Sequence, residues 1–126
     1  MPRILIIDDE KNVADTCAQV LSSVGHRVAT AKDGHAAITL LRGEPADLIL
    51  TDLDMPYGGA RAVGTLRKLH PKIPIIVMSG AGKSQLDMAG ILGAHRTLAK
   101  PFTSQELIAA VAELLPDAPP SPAAGI

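Results

Sequence analysis

Apolar residues gather into five short runs along the chain, and each run breaks off at polar residues. The first is Ile4-Leu5-Ile6-Ile7, followed at once by Asp8-Asp9-Glu10. Leu48-Ile49-Leu50 leads into Thr51-Asp52, with Met55-Pro56 just beyond, and Pro74 to Met78 leads into Ser79-Gly80. Continuous apolar runs of this length are the signature of strands buried on both faces. Arg27 to Ala31 is more polar, as an edge strand can be, and Arg96 to Ala99 is a short last run before Lys100-Pro101-Phe102. Between the runs the spacing becomes helical. Val13, Cys17, Val20, Leu21 and Val24 share one stripe, with Gly25 placed to cap its end. Asp33-Gly34 opens a second helix carrying Ile38, Leu40 and Leu41, closed near Gly43 and Pro45. Val63, Leu66 and Leu69 mark a third, which stops before Pro71. A fourth is expected at about Ser84 to Leu92, surrounded and interrupted by Gly82, Gly90 and Gly93. Thr103-Ser104-Gln105-Glu106 has the capping-box pattern ahead of Leu107, Ile108, Val111, Leu114 and Leu115.

Strands alternating with helices predict an α/β fold, a parallel sheet with helices on both faces. Right-handed crossovers then bring every strand's C-terminal end to one edge. A chain of 126 residues fits one domain. We assign residues 1–116 to it and read 117–126, rich in Pro and Ala, as a flexible tail or linker stub. Only 2% of residues are aromatic, so aliphatic side chains must fill the core. A net charge of -1 offers no field for nucleic acid or an anionic membrane. No apolar stretch approaches the ~20 residues that span a bilayer. The N-terminus lacks a signal-peptide pattern, and Cys17 is the only cysteine, so no internal disulfide can form and the cytoplasm is the expected setting. Its place on the apolar stripe gives Cys17 a packing role.

Polar groups that complement one another stand at successive strand ends: Asp8 and Asp9, then Asp52, then Ser79, then Lys100. Carboxylates crowded at one edge repel, and a hard divalent cation relieves that repulsion. Lys100 adds a point positive charge and Ser79 a small hydroxyl donor. Phosphoryl transfer needs this set: a positioned nucleophile, a metal on the phosphoryl oxygens, and donors for the developing charge. Each residue also has a plainer reading. Asp8 and Asp9 could cap the first helix, Asp52 could satisfy a loop, Ser79 could be a turn residue, and Lys100 could be solvated. Asp54 reads as a loop acid. The plainer readings do not explain why all of these residues recur in order at strand ends.

These motifs together resemble the receiver domain of two-component response regulators. They are Asp8-Asp9 after Ile-Leu-Ile-Ile, Asp52 with Met55-Pro56, Ser79-Gly80 after Ile-Ile-Val-Met, and Lys100-Pro101-Phe102. The resemblance runs from about Arg3 to Leu115. It implies a flavodoxin-like (βα)5 three-layer sandwich with a sheet in the order 2-1-3-4-5. It implies that Asp52 accepts phosphate from a phosphohistidine on a sensor histidine kinase or histidine phosphotransfer protein. Asp9 and Asp52 would hold Mg²⁺, or Mn²⁺ in its place, with the backbone carbonyl of Asp54, and Asp8 would act through a bound water. Lys100 would pair with Asp52 and the phosphoryl oxygens, across a cis Lys100–Pro101 bond. Ser79 would be drawn toward the phosphoryl group, shifting the face made by the last two helices and the fifth strand. A downstream protein target or output domain would read that face, with no turnover of a separate substrate.

The chain departs from the family's pattern at three places. Thr97 stands where Tyr or Phe is usual, three residues before the lysine, and a threonine cannot report the same burial change. Asp54 is an extra acid two residues after the acceptor, and Gly58-Gly59-Ala60 replaces the usual Met-Asp-Gly-type turn. Two other functions compete. Asp52-Leu53-Asp54 resembles the nucleophile motif of haloacid-dehalogenase phosphatases, but that motif sits on a first strand and lacks the Pro56 found here. A pure interaction module would have no need of the five pocket residues. His26, His35, His70 and His95 are dispersed without metal-ligand spacing, and Gly80-Ala81-Gly82-Lys83-Ser84 lacks the opening glycine of a phosphate loop.

Overall fold

A computed structural model describes residues 2–54, 59–80 and 94–115. Within them run β1 (Arg3–Ile7), α1 (Lys11–Ser23), β2 (Arg27–Ala31), α2 (Gly34–Gly43) and β3 (Leu48–Asp52). These are followed by α3 (Gly59–Leu69), β4 (Ile75–Ser79), β5 (Arg96–Ala99) and α4 (Ser104–Leu114). All pairings are parallel and the sheet order is β2-β1-β3-β4-β5. The helix expected at 84–92 and the tail at 117–126 lie outside the described residues.

Alternation along the strands sorts the core into two layers. Leu5, Ile7, Ile49, Ile75 and Val77 face Ala37, Leu41, Val63 and Leu66, which come from α2 and α3. Ile4, Ile6, Leu48, Leu50, Ile76, Met78 and Leu98 face Cys17 and Leu21 of α1 and Leu107 and Val111 of α4. Every residue of β3 and β4 is buried, so both strands are covered on both sides. Aliphatic residues close-pack both layers, and Cys17 is buried among them.

Helix ends follow the local chemistry. Asp33 caps α2 by accepting from Ala36 N at 2.8 Å. Gly25 follows α1 with φ 97°, a left-handed conformation that glycine adopts without a Cβ penalty. A Cβ added at Gly34 would sit 3.1 Å from Ala62 Cβ, so glycine lets the start of α2 approach α3. Thr103 caps α4 by accepting from Glu106 N at 3.0 Å. The reciprocal arm of the expected capping box differs: the Glu106 carboxylate takes up the Thr103 hydroxyl at 3.4 Å.

Two sequence expectations shift. β4 runs one residue later than expected and includes Ser79, because its backbone stays in the ladder as far as the Ser79–Ala99 pairing. Asp52 is the last residue of β3, at the strand end where the sequence places it. Leu69, expected on the apolar face of the third helix, is 53% exposed at the final position of that helix.

His26, just after the α1 turn, is 6% exposed, and its Nδ1 has no hydrogen-bond partner. Burial pulls its pKa below the ordinary value. The unfolded chain therefore takes up the proton first, and the stability present above the unfolded pKa of about 6.5 declines as pH falls below it. Replacing His26 with Gln should reduce the loss of stability between pH 7.5 and 5.5. Paired urea denaturation curves check this, and an undiminished loss in the variant contradicts it.

Candidate functional site

Register lines the polar residues up along one edge. Ile7 pairs with Thr51, so Asp8 stands level with Asp52 on the adjacent strand. Ser79 pairs with Ala99, so Lys100 follows one step past Ser79. Alternation then aims the side chains. Asp8, Asp52 and Lys100 continue the rows of Ile4 and Ile6, Leu48 and Leu50, and Leu98, on the α1/α4 side. Ser79 continues the row of Ile75 and Val77 on the other side.

Asp8 is 2% exposed and Asp52 1% exposed, whereas Asp9 is exposed. One carboxylate oxygen from each of the three lies within 4.8 Å of the others. The Lys100 ammonium is 3.3 Å from Asp52 Oδ1 and 3.8 Å from Asp8 Oδ2. Asp52 Oδ1 also accepts from Asp54 N at 3.0 Å. Asp8 Oδ1 accepts from Glu10 N at 2.9 Å, while Asp8 Oδ2 is buried with no hydrogen-bond partner. Glu10, the N-cap residue of α1, makes no side-chain cap bond, and no acid lies in that helix's first turn. Capping therefore does not account for Asp8 and Asp9.

Burial pushes the Asp8 carboxyl up to about 6; the Glu10 N–H works against that rise and the Asp52 charge adds to it. Burial pulls the Lys100 ammonium down, but Asp52 and Asp8 beside it outweigh that and leave it raised. Lys100 is thus a fixed cation, and one ammonium faces three carboxylates. The donor set fits a hard divalent ion: oxygen ligands only, clustered, with a buried carboxylate oxygen lacking a hydrogen-bond donor.

Ser79, 1% exposed, donates from Oγ to Asp54 Oδ1 at 3.0 Å, and Gly80 N donates to Asp54 Oδ2 at 2.8 Å. This tie was not expected from the sequence, where Asp54 reads as a loop acid. The signal for it was the recurrence of an acid two residues after Asp52, opposite a strand ending in Ser-Gly. Both Asp54 carboxylate oxygens are engaged there. Thr97 is half-buried on β5, and the Lys100–Pro101 bond is cis.

The profile of the response regulator receiver domain family matches residues 4–112, and the chain belongs to that family. Among its relatives, the transcriptional regulatory protein PrrA of Mycobacterium tuberculosis is 35% identical over 116 residues, covering 90% of this chain and 50% of PrrA. The transcriptional regulatory protein CpxR of Klebsiella pneumoniae is 36% identical over 118 residues, covering 91% of this chain and 50% of CpxR. The chain thus spans about half the length of these curated relatives. The receiver domain of NtrX from Brucella abortus matches with a TM-score of 0.85 at 28% identity, over 91% of this chain and 99% of that one. The receiver domain of the Francisella response regulator 1452 matches with a TM-score of 0.84 at 29% identity, over 93% and 98%. The flavodoxin-like fold and the receiver class are therefore established. No helix among the described residues is long and apolar enough to cross a membrane.

A carboxyl whose folded pKa is raised is favoured protonated by the fold. The stability present at low pH is lost as pH rises through about 6, so Asp8 carries that cost at neutral pH. Asp8→Asn should therefore stabilise the cation-free domain at pH 7.5 by about 1–3 kcal/mol. Chemical denaturation in the presence of a chelator measures it; equal or lower stability of the variant contradicts the crowding.

Proposed function

We propose that this chain is a phosphoacceptor switch in a His-Asp relay, with Asp52 as the acceptor. The observation that carries this reading is the buried Asp52 carboxylate, 3.3 Å from the Lys100 ammonium and clustered with Asp8 and Asp9. Asp52 Oδ1 is held by Lys100 and Asp54 N, which leaves Oδ2 as the attacking oxygen. That oxygen forms a bond to phosphorus as the phosphorus–nitrogen bond of a donor phosphohistidine breaks, and the departing imidazole takes up a proton. Lys100 meets the charge gathered on the phosphoryl oxygens. Asp9, Asp52, the Asp54 carbonyl and, through water, Asp8 would hold Mg²⁺ or Mn²⁺. Bound there, the ion neutralises charge shared by the carboxylates and the phosphoryl group.

The donor is a sensor histidine kinase or a histidine phosphotransfer protein. The chain turns over no separate substrate; it catalyses only its own phosphorylation and dephosphorylation. Ser79 moves toward the new phosphoryl group, and the face around β5 and α4 carries the change to a protein target or output domain. Transcriptional regulators among the relatives support an output of that kind. The working unit is residues 1–116, in the cytoplasm, with no direct part in binding nucleic acid or membrane.

Incubation with acetyl phosphate and Mg²⁺ should add one alkali-labile phosphate per chain, read by intact mass. Asp52→Asn or a chelator should abolish it. Labelling that persists in Asp52→Asn removes the acceptor role, and turnover of many phosphate esters per chain supports a phosphatase instead. Lys100→Ala should not weaken Mg²⁺ binding, since an ammonium is no ligand and its loss leaves the carboxylates with less counter-charge. The same variant should lose activation of the downstream partner; undiminished activation would remove Lys100 from the switch.

A further inference from the structure

Asp54 grips the end of β4 with both carboxylate oxygens. One takes the Ser79 hydroxyl at 3.0 Å and the other the Gly80 amide at 2.8 Å. Bonds to an ionised acceptor are stronger than neutral ones. A serine hydroxyl carries a single hydrogen, so the hydrogen given to Asp54 is not available to a phosphoryl oxygen. Alternation along β4 sets Ser79 in the row of Ile75 and Val77, opposite the row that Asp8, Asp52 and Lys100 continue.

We propose that Asp54 is a positioning residue that latches Ser79 and Gly80 in the unphosphorylated arrangement and competes with the phosphoryl group on Asp52 for the Ser79 hydroxyl. This rests on the reading of Asp52 as the acceptor. The latch favours one of two arrangements of the β4 end, and phosphorylation must overcome that preference to draw Ser79 across. Its strength is modest, because the Asp54 side chain is exposed and solvent screens its charge. The carboxylate acts through Ser79 rather than on the reacting atoms, and the Asp54 backbone carbonyl assigned to the cation is untouched by side-chain substitution.

Asp54→Ala should lower the acetyl phosphate concentration that half-phosphorylates the chain by about fivefold at fixed Mg²⁺. Asp54→Asn should fall between the two, since an amide offers one acceptor oxygen where a carboxylate offers two. Loss of a negative charge near the phosphoryl group would also favour phosphorylation, so the same substitution is made in Ser79→Ala. The gain should vanish there; a gain of equal size in both backgrounds overturns the latch and assigns the effect to charge. In the unphosphorylated chain, the Gly80 amide proton should move upfield in Asp54→Ala, and an unmoved resonance also overturns the latch. If the unsubstituted chain takes no label on Asp52, the acceptor reading fails. If it labels normally while Asp54→Ala matches it, only the latch fails.

Discussion

Two buried carboxylates held side by side at a sheet edge, answered by a single ammonium, set the terms for the rest of the molecule. Asp8 and Asp52 cannot move apart, because the strands that carry them are hydrogen-bonded neighbours locked in register. They cannot turn to water, because each is almost wholly buried. The ammonium of Lys100 answers part of the charge, and two backbone amides, Glu10 N and Asp54 N, answer a further part. What remains is a buried oxygen on Asp8 without a donor and an elevated Asp8 pKa. A site in this condition has an outstanding affinity for positive charge, and its carboxylate oxygens give that affinity a preference for hard cations.

Such crowding survives only on a rigid support. β1, β3 and β4 supply it, since their side chains fill two aliphatic layers and leave the strands no freedom to shift. A slip of one residue in β3 would turn Asp52 toward the α2/α3 layer and carry Thr51 to the Lys100 side. The apolar rows on either face prevent that slip. The packing that makes the domain stable is therefore the same packing that keeps Asp8, Asp52 and Lys100 on one side.

Much of this was legible in the residues themselves. Continuous apolar runs ending in acids gave the strands and their order of chemistry, because burial on both faces leaves a compositional mark. The caps at Asp33 and Thr103 were legible for a similar reason: short polar side chains at helix starts have few other local uses. The tie from Asp54 to Ser79 and Gly80 was marked only by an acid recurring two residues after Asp52; which donors it takes lay beyond any local pattern. The burial of His26 was equally hidden, because an isolated imidazole carries no periodicity that marks its side of the fold. Leu69 failed in the opposite way: the helical spacing is real, but the stripe continues to the helix end, where the sheet no longer covers it.

The β4 end bears on the outer face through backbone. Ser79 O accepts from Lys100 N at 2.9 Å, and Met78 O accepts from Leu53 N at 2.8 Å, so the ends of β3, β4 and β5 form one hydrogen-bonded unit. A change in how Ser79 is held therefore acts on the residue that carries the ammonium as well as on the loop that carries Asp54. On the far side of β5, Arg96 pairs with Glu113 of α4, which ties that strand to the last helix. Thr97 lies between these two connections and is half-buried, with no ring to swing inward. The acidic edge and the outer face are thus joined by main-chain bonds and an ion pair. A rotating aromatic side chain at position 97 would move independently of the strand; a threonine there ties any change at this position to the strand itself.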